Sequence, residues 1–127
     1  MVVEFPDARE GVIECLRDLA DREFQQRVWV ERKGDPNLIE SLDQTIGDLF
    51  DTFLDHDGLD RFVGAILMDN DEAHAIKELA QVLLPLYRSL PSGPHVTDEK
   101  LAAAAISDPG WDRVVDYARR ALTLMSR

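Results

Sequence analysis

Apolar residues recur three or four positions apart along nearly the whole sequence, and this spacing constrains the fold more than any other feature. It is clearest between Leu42 and Phe53, where Ile46, Leu49 and Phe50 complete a one-sided apolar stripe. Such a stripe is typical of an amphipathic α-helix that packs on a core. The same spacing predicts further helices near residues 7–20, 21–28, 59–67, 70–90 and 109–125, and a small one from residue 97.

Polar residues at the starts of these segments predict where the helices begin. Side chains of this kind accept hydrogen bonds from the first backbone N–H groups of a helix. The predicted N-caps are Asp7, Asp21, Asp69 or Asn70, and Thr97. One stretch stays open, because Val28–Val30 is β-branched and aromatic and could either continue a helix or finish extended.

The whole pattern predicts an all-α fold, a single-domain helical bundle of five to seven helices that spans residues 1–127. The sequence contains no repeat and no linker long enough to separate two domains. Its one cysteine, Cys15, cannot form an internal disulfide, and the acidic N-terminus does not resemble a signal peptide. No apolar run approaches the length of a membrane span. We therefore expect a cytoplasmic protein without a membrane contact.

Charge is distributed unevenly along the sequence. Residues 35–81 carry a net charge of −10 out of a formal −11 for the whole chain, and their only basic residues are Arg61 and Lys77. A concentrated acidic surface repels nucleic acid and anionic lipid and attracts cationic partners. The sequence therefore predicts a basic protein as partner and argues against binding to nucleic acid.

The acidic helix between residues 40 and 60 is the candidate docking surface. At 100° per residue, Asp48, Asp51 and Asp55 fall opposite the apolar stripe and share one exposed face without a basic residue three or four positions away. The alternative is a solvated face that only keeps the protein soluble. Trp29 is interpreted as a core anchor, but we keep it among the candidate partner-binding residues because an exposed tryptophan is often a binding hot spot.

Four segments together resemble a known family. They are Asp21–Val30, Leu49–Asp51, Val63–Leu67 and Pro109–Val115, and they resemble the signature of a family of small, uncharacterised bacterial proteins of similar length. The resemblance covers almost the whole chain. It implies a shared all-helical fold and transfers no activity, cofactor or catalytic residue.

No group of residues has the spacing of a catalytic or metal site. Asp71, Glu72, His74 and Glu78 mix histidine with carboxylates, and we interpret them as surface ion pairs at the start of a helix. Cys15 is interpreted as a small residue at the border of the core, because neighbouring carboxylates raise the pKa of a thiol and lower its reactivity. We expect no cofactor and no metal.

Three functional hypotheses remain. The first is a protein-binding module, in its most concrete form an immunity or antitoxin-like inhibitor whose Asp48, Asp51 and Asp55 cover the basic active site of a nuclease-type partner. The second is a magnesium-dependent hydrolase of the all-α nucleotide pyrophosphohydrolase kind. The third is a homo-oligomeric scaffold in which the region of Arg22, Arg27 and Arg32 meets the acidic helix of a neighbouring copy. A binding role is favoured over an enzymatic one.

Overall fold

Helices make up most of the chain. The computed structural model describes residues 3–31, 41–53 and 56–126, and for residues 51, 52, 56 and 57 it describes the backbone alone. Within these ranges there are six α-helices, one π-helical segment and one 3₁₀ segment. The α-helices are α1 (Pro6–Ala20), α2 (Arg22–Phe24), α3 (Leu42–Thr52), α4 (Asn70–Ser89), α5 (Asp98–Ser107) and α6 (Trp111–Met125), with the π-helix at Gln25–Val30 and the 3₁₀ helix at His56–Phe62. The predicted all-α bundle is confirmed.

The helices pack against one another around a single core. α1 lies between α3 and α6, α6 also packs on α4, and α5 covers the π-helix. The apolar stripes predicted from the sequence face inward, and burying them supplies the main driving force for folding. The largest fully buried side chains are Trp29, Trp111, Phe53, Leu16, Leu19, Leu42, Leu49, Leu59, Leu67, Ile76, Leu79 and Leu83. No helix in the described part of the chain has both the length and the apolar character that a membrane-spanning helix requires.

Three of the predicted N-caps are confirmed. The side chains of Asp21 and Asp69 each accept a hydrogen bond of 3.0 Å from the backbone N–H three residues later. Thr97 does the same for α5 at 3.2 Å. The prediction for Asp7 is wrong, because α1 begins one residue earlier at Pro6, and Asp7 lies in the first turn. Proline suits that position because it has no N–H to leave unpaired.

The segment after α3 departs from the predicted short helix at residues 59–67. A 3₁₀ helix ends at Phe62, and the chain then turns so that Val63 and Leu67 form an isolated parallel bridge. The backbone of Gly64 has a φ of 92°, a left-handed conformation that glycine adopts without steric cost and that a helix cannot contain. The backbone N–H of Glu4 donates to the Gly64 carbonyl at 2.9 Å, so this turn also holds the N-terminal segment.

The start of α4 contains a buried ion pair. Glu72 is fully buried and receives two hydrogen bonds from the Arg9 guanidinium of α1, at 2.7 and 2.9 Å. Arg9 also donates to the backbone carbonyls of Ile66 and Met125, at 3.0 and 2.9 Å. The interpretation of Glu72 as part of a surface ion pair is therefore wrong. One guanidinium joins α1, α4, the end of α6 and the turn before α4.

Candidate functional site: an acidic surface on α1 and α3

The outer side of α1 carries a row of carboxylates. Asp7, Glu10 and Glu14 are exposed and Asp18 is half-buried, and they follow one another at intervals of three, four and four residues. Residues at these spacings lie on the same side of a helix. Like charges so placed cost a helix about 0.2–0.5 kcal/mol per pair. Arg17, also exposed, borders the row on one side.

α3 packs beside α1 and adds a further carboxylate. Asp48 is exposed, and its Oδ1 accepts a hydrogen bond of 2.8 Å from the side-chain amide of Gln44, one turn earlier. Asp43 is exposed in the first turn of α3 and accepts a hydrogen bond from the Tyr87 hydroxyl of α4. Both contacts fix the direction of a carboxylate.

The buried Cys15 thiol lies on α1, the helix that carries the row of carboxylates and packs on α3. The pKa of Cys15 rises from 9.0 to about 12, first because of burial and then because of the negative charges of Asp48, Asp18 and Glu14. A nearby like charge disfavours ionisation of the thiol. Three carboxylates from two helices therefore act on one buried atom. We call Glu14, Asp18 and Asp48 the acidic surface.

The candidate residues from the sequence have different positions in the structure. Asp48 is exposed on α3, as predicted. The side chain of Asp51 and the whole of Asp55 lie outside the described residues. α3 ends at Thr52, with the buried Phe53 as its C-cap.

Trp29 lies in the core and cannot contact a partner. It is 0% exposed, and Phe24 packs edge-on against its indole at a centroid distance of 6.0 Å. The hypothesis of Trp29 as a partner-binding residue is therefore wrong, and its interpretation as a core anchor is correct. The cause is local, because the segment Gln25–Val30 is π-helical and places Val28 and Trp29 inward together.

Sequence reasoning missed Glu14 and Asp18. The signal was their spacing from Asp7 and Glu10, but the net charge of residues 1–34 is only −2 and hid the row. That sum counts Arg9 as though it were on the surface, whereas its guanidinium is directed inward to Glu72.

Three further pairs of charged groups lie close together among the described residues. Nε2 of His74 lies 2.6 Å from Oε1 of Glu78 on the exposed side of α4, as predicted for a surface pair. Arg22 pairs with Asp112 of α6, and a guanidinium nitrogen of Arg27 lies 3.9 Å from the Glu23 carboxylate. Among the described residues, no three histidine, cysteine, aspartate or glutamate side chains form a group that could hold a metal ion.

Fold and surface together define a small all-α helical bundle with an acidic face. The chain belongs to the family described as Domain of unknown function (DUF7945), which it matches over residues 3–127. This confirms the expectation of a helical family without an assigned activity. No curated protein and no solved structure matches the chain.

Proposed function

We propose that this protein binds a cationic protein partner through the acidic surface formed by Glu14, Asp18 and Asp48. The position of Glu14 and Asp18 on α1 beside Asp48 on α3, two helices that pack together, is the observation that carries the proposal. Neighbouring carboxylates on the surface attract a cationic partner and help to orient it. The formal charge of −11 extends the negative field beyond the surface itself.

The negative field of the whole chain and the acidic surface contribute to different steps of binding. Long-range attraction raises the rate of encounter and falls with ionic strength, because salt screens exposed charges over about 8–10 Å. Contact charges then set the orientation of the partner. In the most specific form of the proposal, the protein is an immunity or antitoxin-like inhibitor, and its carboxylates occupy the phosphate-binding positions of a basic nuclease-type partner.

The test compares two variants of equal charge. One carries Glu14→Gln, Asp18→Asn and Asp48→Asn, and its control carries Glu4→Gln, Asp60→Asn and Asp116→Asn, three exposed acids outside the acidic surface. Each changes the net charge from −11 to −8. After circular dichroism has shown that both fold, each is used to capture proteins from a native lysate, and every basic protein retained is purified and titrated by calorimetry.

We expect the control to bind the purified partner as the wild-type protein does, and the surface variant to bind more weakly by a factor between about three and about a hundred. This follows from three charge pairs worth roughly 0.2–1 kcal/mol each, since about 1.4 kcal/mol corresponds to a factor of ten. Equal losses in both variants would show that only total charge matters, and the proposal would then be wrong.

A further inference from the structure

The first described residues lie at the same end of the bundle as the last turn of α6. Residues 3–5 run along the turn that follows the 3₁₀ helix, where the N–H groups of Glu4 and Phe5 donate to the carbonyls of Gly64 and Ala65, at 2.9 and 2.8 Å. We call residues 3–5 the strap. Two backbone hydrogen bonds thus join the strap to a turn that is distant in sequence.

The strap buries little apolar surface. Val3 is buried, but Glu4 is exposed and the Phe5 side chain is 52% exposed. Segments with few buried apolar contacts open at a lower cost in free energy than the core helices. The stability of the strap therefore depends on what holds the turn beside it.

The turn beside the strap is held by Arg9. One terminal nitrogen of the Arg9 guanidinium donates to the carbonyl of Ile66, the residue after Ala65, and to Oε1 of Glu72. The other terminal nitrogen donates to Oε2 of Glu72 and to the Met125 carbonyl. That carbonyl is among the last four of α6, which have no N–H partner within the helix. Arg9 therefore holds the end of α6 with the same group that holds the turn.

The shape of the guanidinium makes these two contacts depend on each other. Its nitrogens lie in one rigid plane, and the two oxygens of the buried Glu72 carboxylate fix the direction of that plane. A rotation that moves the plane away from the Ile66 carbonyl also moves it away from the Met125 carbonyl. We call Arg9 and Glu72 the latch.

We propose that the strap, the turn at residues 63–68 and the end of α6 open and close as one unit, coupled by the latch. Coupling between two places in a protein is reciprocal. A molecule that pulls the strap away from the turn therefore loosens the end of α6, and one that holds the end of α6 closed protects the strap. The latch and the strap lie outside the acidic surface, so this coupling does not depend on a cationic partner.

Native-state hydrogen exchange, followed by NMR at constant pH in low urea, measures this opening. The reporters are the amides of Glu4 and Phe5 in the strap, of Gly64 in the turn, and of Ser126, whose N–H belongs to the same peptide group as the Met125 carbonyl. We expect the four amides to share one free energy of opening and one dependence on urea, both smaller than those of global unfolding. Different values for the strap and for Ser126 would overturn the proposal.

Val3→Ala tests the coupling from a distance. It removes two buried methyl groups from the strap and should speed the exchange of the strap amides about tenfold. Because the unit opens as a whole, we expect the Ser126 amide at the end of α6 to exchange faster by the same factor. An unchanged rate at Ser126 would show that the strap opens alone, and the proposal would be wrong.

Arg9→Lys tests the latch itself. Lysine keeps the positive charge, but its compact ammonium group cannot span both oxygens of Glu72 and two backbone carbonyls at once. When Val3→Ala is added to Arg9→Lys, we expect it to speed exchange in the strap alone. If Ser126 still responds to Val3→Ala, the latch does not couple the two places and the proposal fails.

Arg119→Met is the matched control. The Arg119 guanidinium donates to a helix-end carbonyl as well, that of Ala20 at the other end of α1, through one hydrogen bond of 3.2 Å. Its loss should lower the stability of the whole fold in urea and leave the four reporters unchanged, because this bond stays intact when the unit opens. Faster exchange of the reporters in Arg119→Met would mean that they report global unfolding, which contradicts a separate unit.

Discussion

Trp29 and Trp111 are both fully buried, but only Trp111 has an acceptor for its indole N–H among the described residues. Trp111 donates to Oε1 of Gln25 at 2.9 Å. The amide nitrogen of Gln25 in turn donates to the carbonyls of Asp18 and Leu19, each at 2.9 Å. One buried amide therefore joins the π-helix, the end of α1 and the start of α6, whereas the Trp29 N–H contributes nothing of this kind.

This difference predicts unequal costs for the same substitution. Trp111→Phe and Trp29→Phe both remove ring volume from the core, but only Trp111→Phe leaves Oε1 of Gln25 without its donor. A buried polar atom left unpaired costs about 1–3 kcal/mol. We expect Trp111→Phe to lower the free energy of unfolding by about that much more than Trp29→Phe, as measured by urea denaturation. Equal losses would contradict the assignment of an unpaired N–H to Trp29.

Removing one partner of the Arg9–Glu72 pair should destabilise the protein strongly. Glu72 is 0% exposed, so Arg9→Met removes two hydrogen bonds from a buried carboxylate, whose Oε1 still accepts one from the Met68 N–H at 2.8 Å. Loss of one member of a buried ion pair typically lowers the free energy of unfolding by about 3–5 kcal/mol. We expect the double variant Arg9→Met, Glu72→Leu to cost clearly less than the sum of Arg9→Met and Glu72→Leu. Additive losses in urea denaturation would show that the two residues do not act as a pair.

The same pair predicts how stability depends on pH. Burial tends to raise the pKa of Glu72, but hydrogen bonds from Arg9 and the Met68 N–H lower it below its usual 4.5. A carboxyl with a lowered pKa in the folded state contributes stability that is present above the unfolded value and is lost as pH falls through the folded value. We expect the melting temperature of the wild-type protein to fall steeply below about pH 4.5.

Glu72→Gln is the variant that isolates this carboxyl. It should be less stable at neutral pH and lose less stability on acidification than the wild-type protein. Asp71→Asn is the matched control, because Asp71 is exposed and adjacent in sequence. If stability falls as steeply on acidification in Glu72→Gln as in the wild-type protein, the loss is caused by other carboxyls.

The helices could be predicted from the sequence because they depend on local spacing and capping. The stripe from Leu42 to Phe53 faces the core, and Asp21, Asp69 and Thr97 cap as expected. The turn at Gly64 could not be predicted in this way. Its flanking apolar residues have helical spacing, but the backbone of the turn is held by the N-terminal segment, a contact distant in sequence.

The candidate site was predicted only in part, for a similar reason. Asp48 was found because its own helix contains no neighbouring base. Glu14 and Asp18 were missed because a charge sum cannot show that Arg9 is directed inward or that α1 packs beside α3. For Trp29 the sequence left both a core position and a partner-binding position open, and the π-helical segment Gln25–Val30 places it in the core.

Cys15 should be a poor nucleophile in the folded protein. With a pKa of about 12, its thiol is almost entirely protonated at pH 8, and it is also buried. We expect a disulfide exchange reagent to label it slowly in buffer and at once in denaturant.

The raised pKa of Cys15 also predicts how stability depends on alkaline pH. Because the folded pKa is raised, the stability that the thiol contributes is present below the unfolded value of 9.0 and is lost as pH rises through about 12. In Cys15→Ala the free energy of unfolding should therefore fall less steeply between pH 9.0 and about 12 than in the wild-type protein.

Labelling of Cys15 also tests the geometry of the acidic surface. Burial is the largest cause of the raised pKa, and Asp48 is the next, so Asp48→Asn should lower the pKa and leave burial unchanged. We expect labelling at pH 9 to be faster in Asp48→Asn than in the wild-type protein, provided that both have the same stability in urea. Asp116→Asn makes the same change of charge on α6 and should leave the rate unchanged. Equal rates in all three proteins would mean that Asp48 does not lie close enough to Cys15 for α1 and α3 to form one surface.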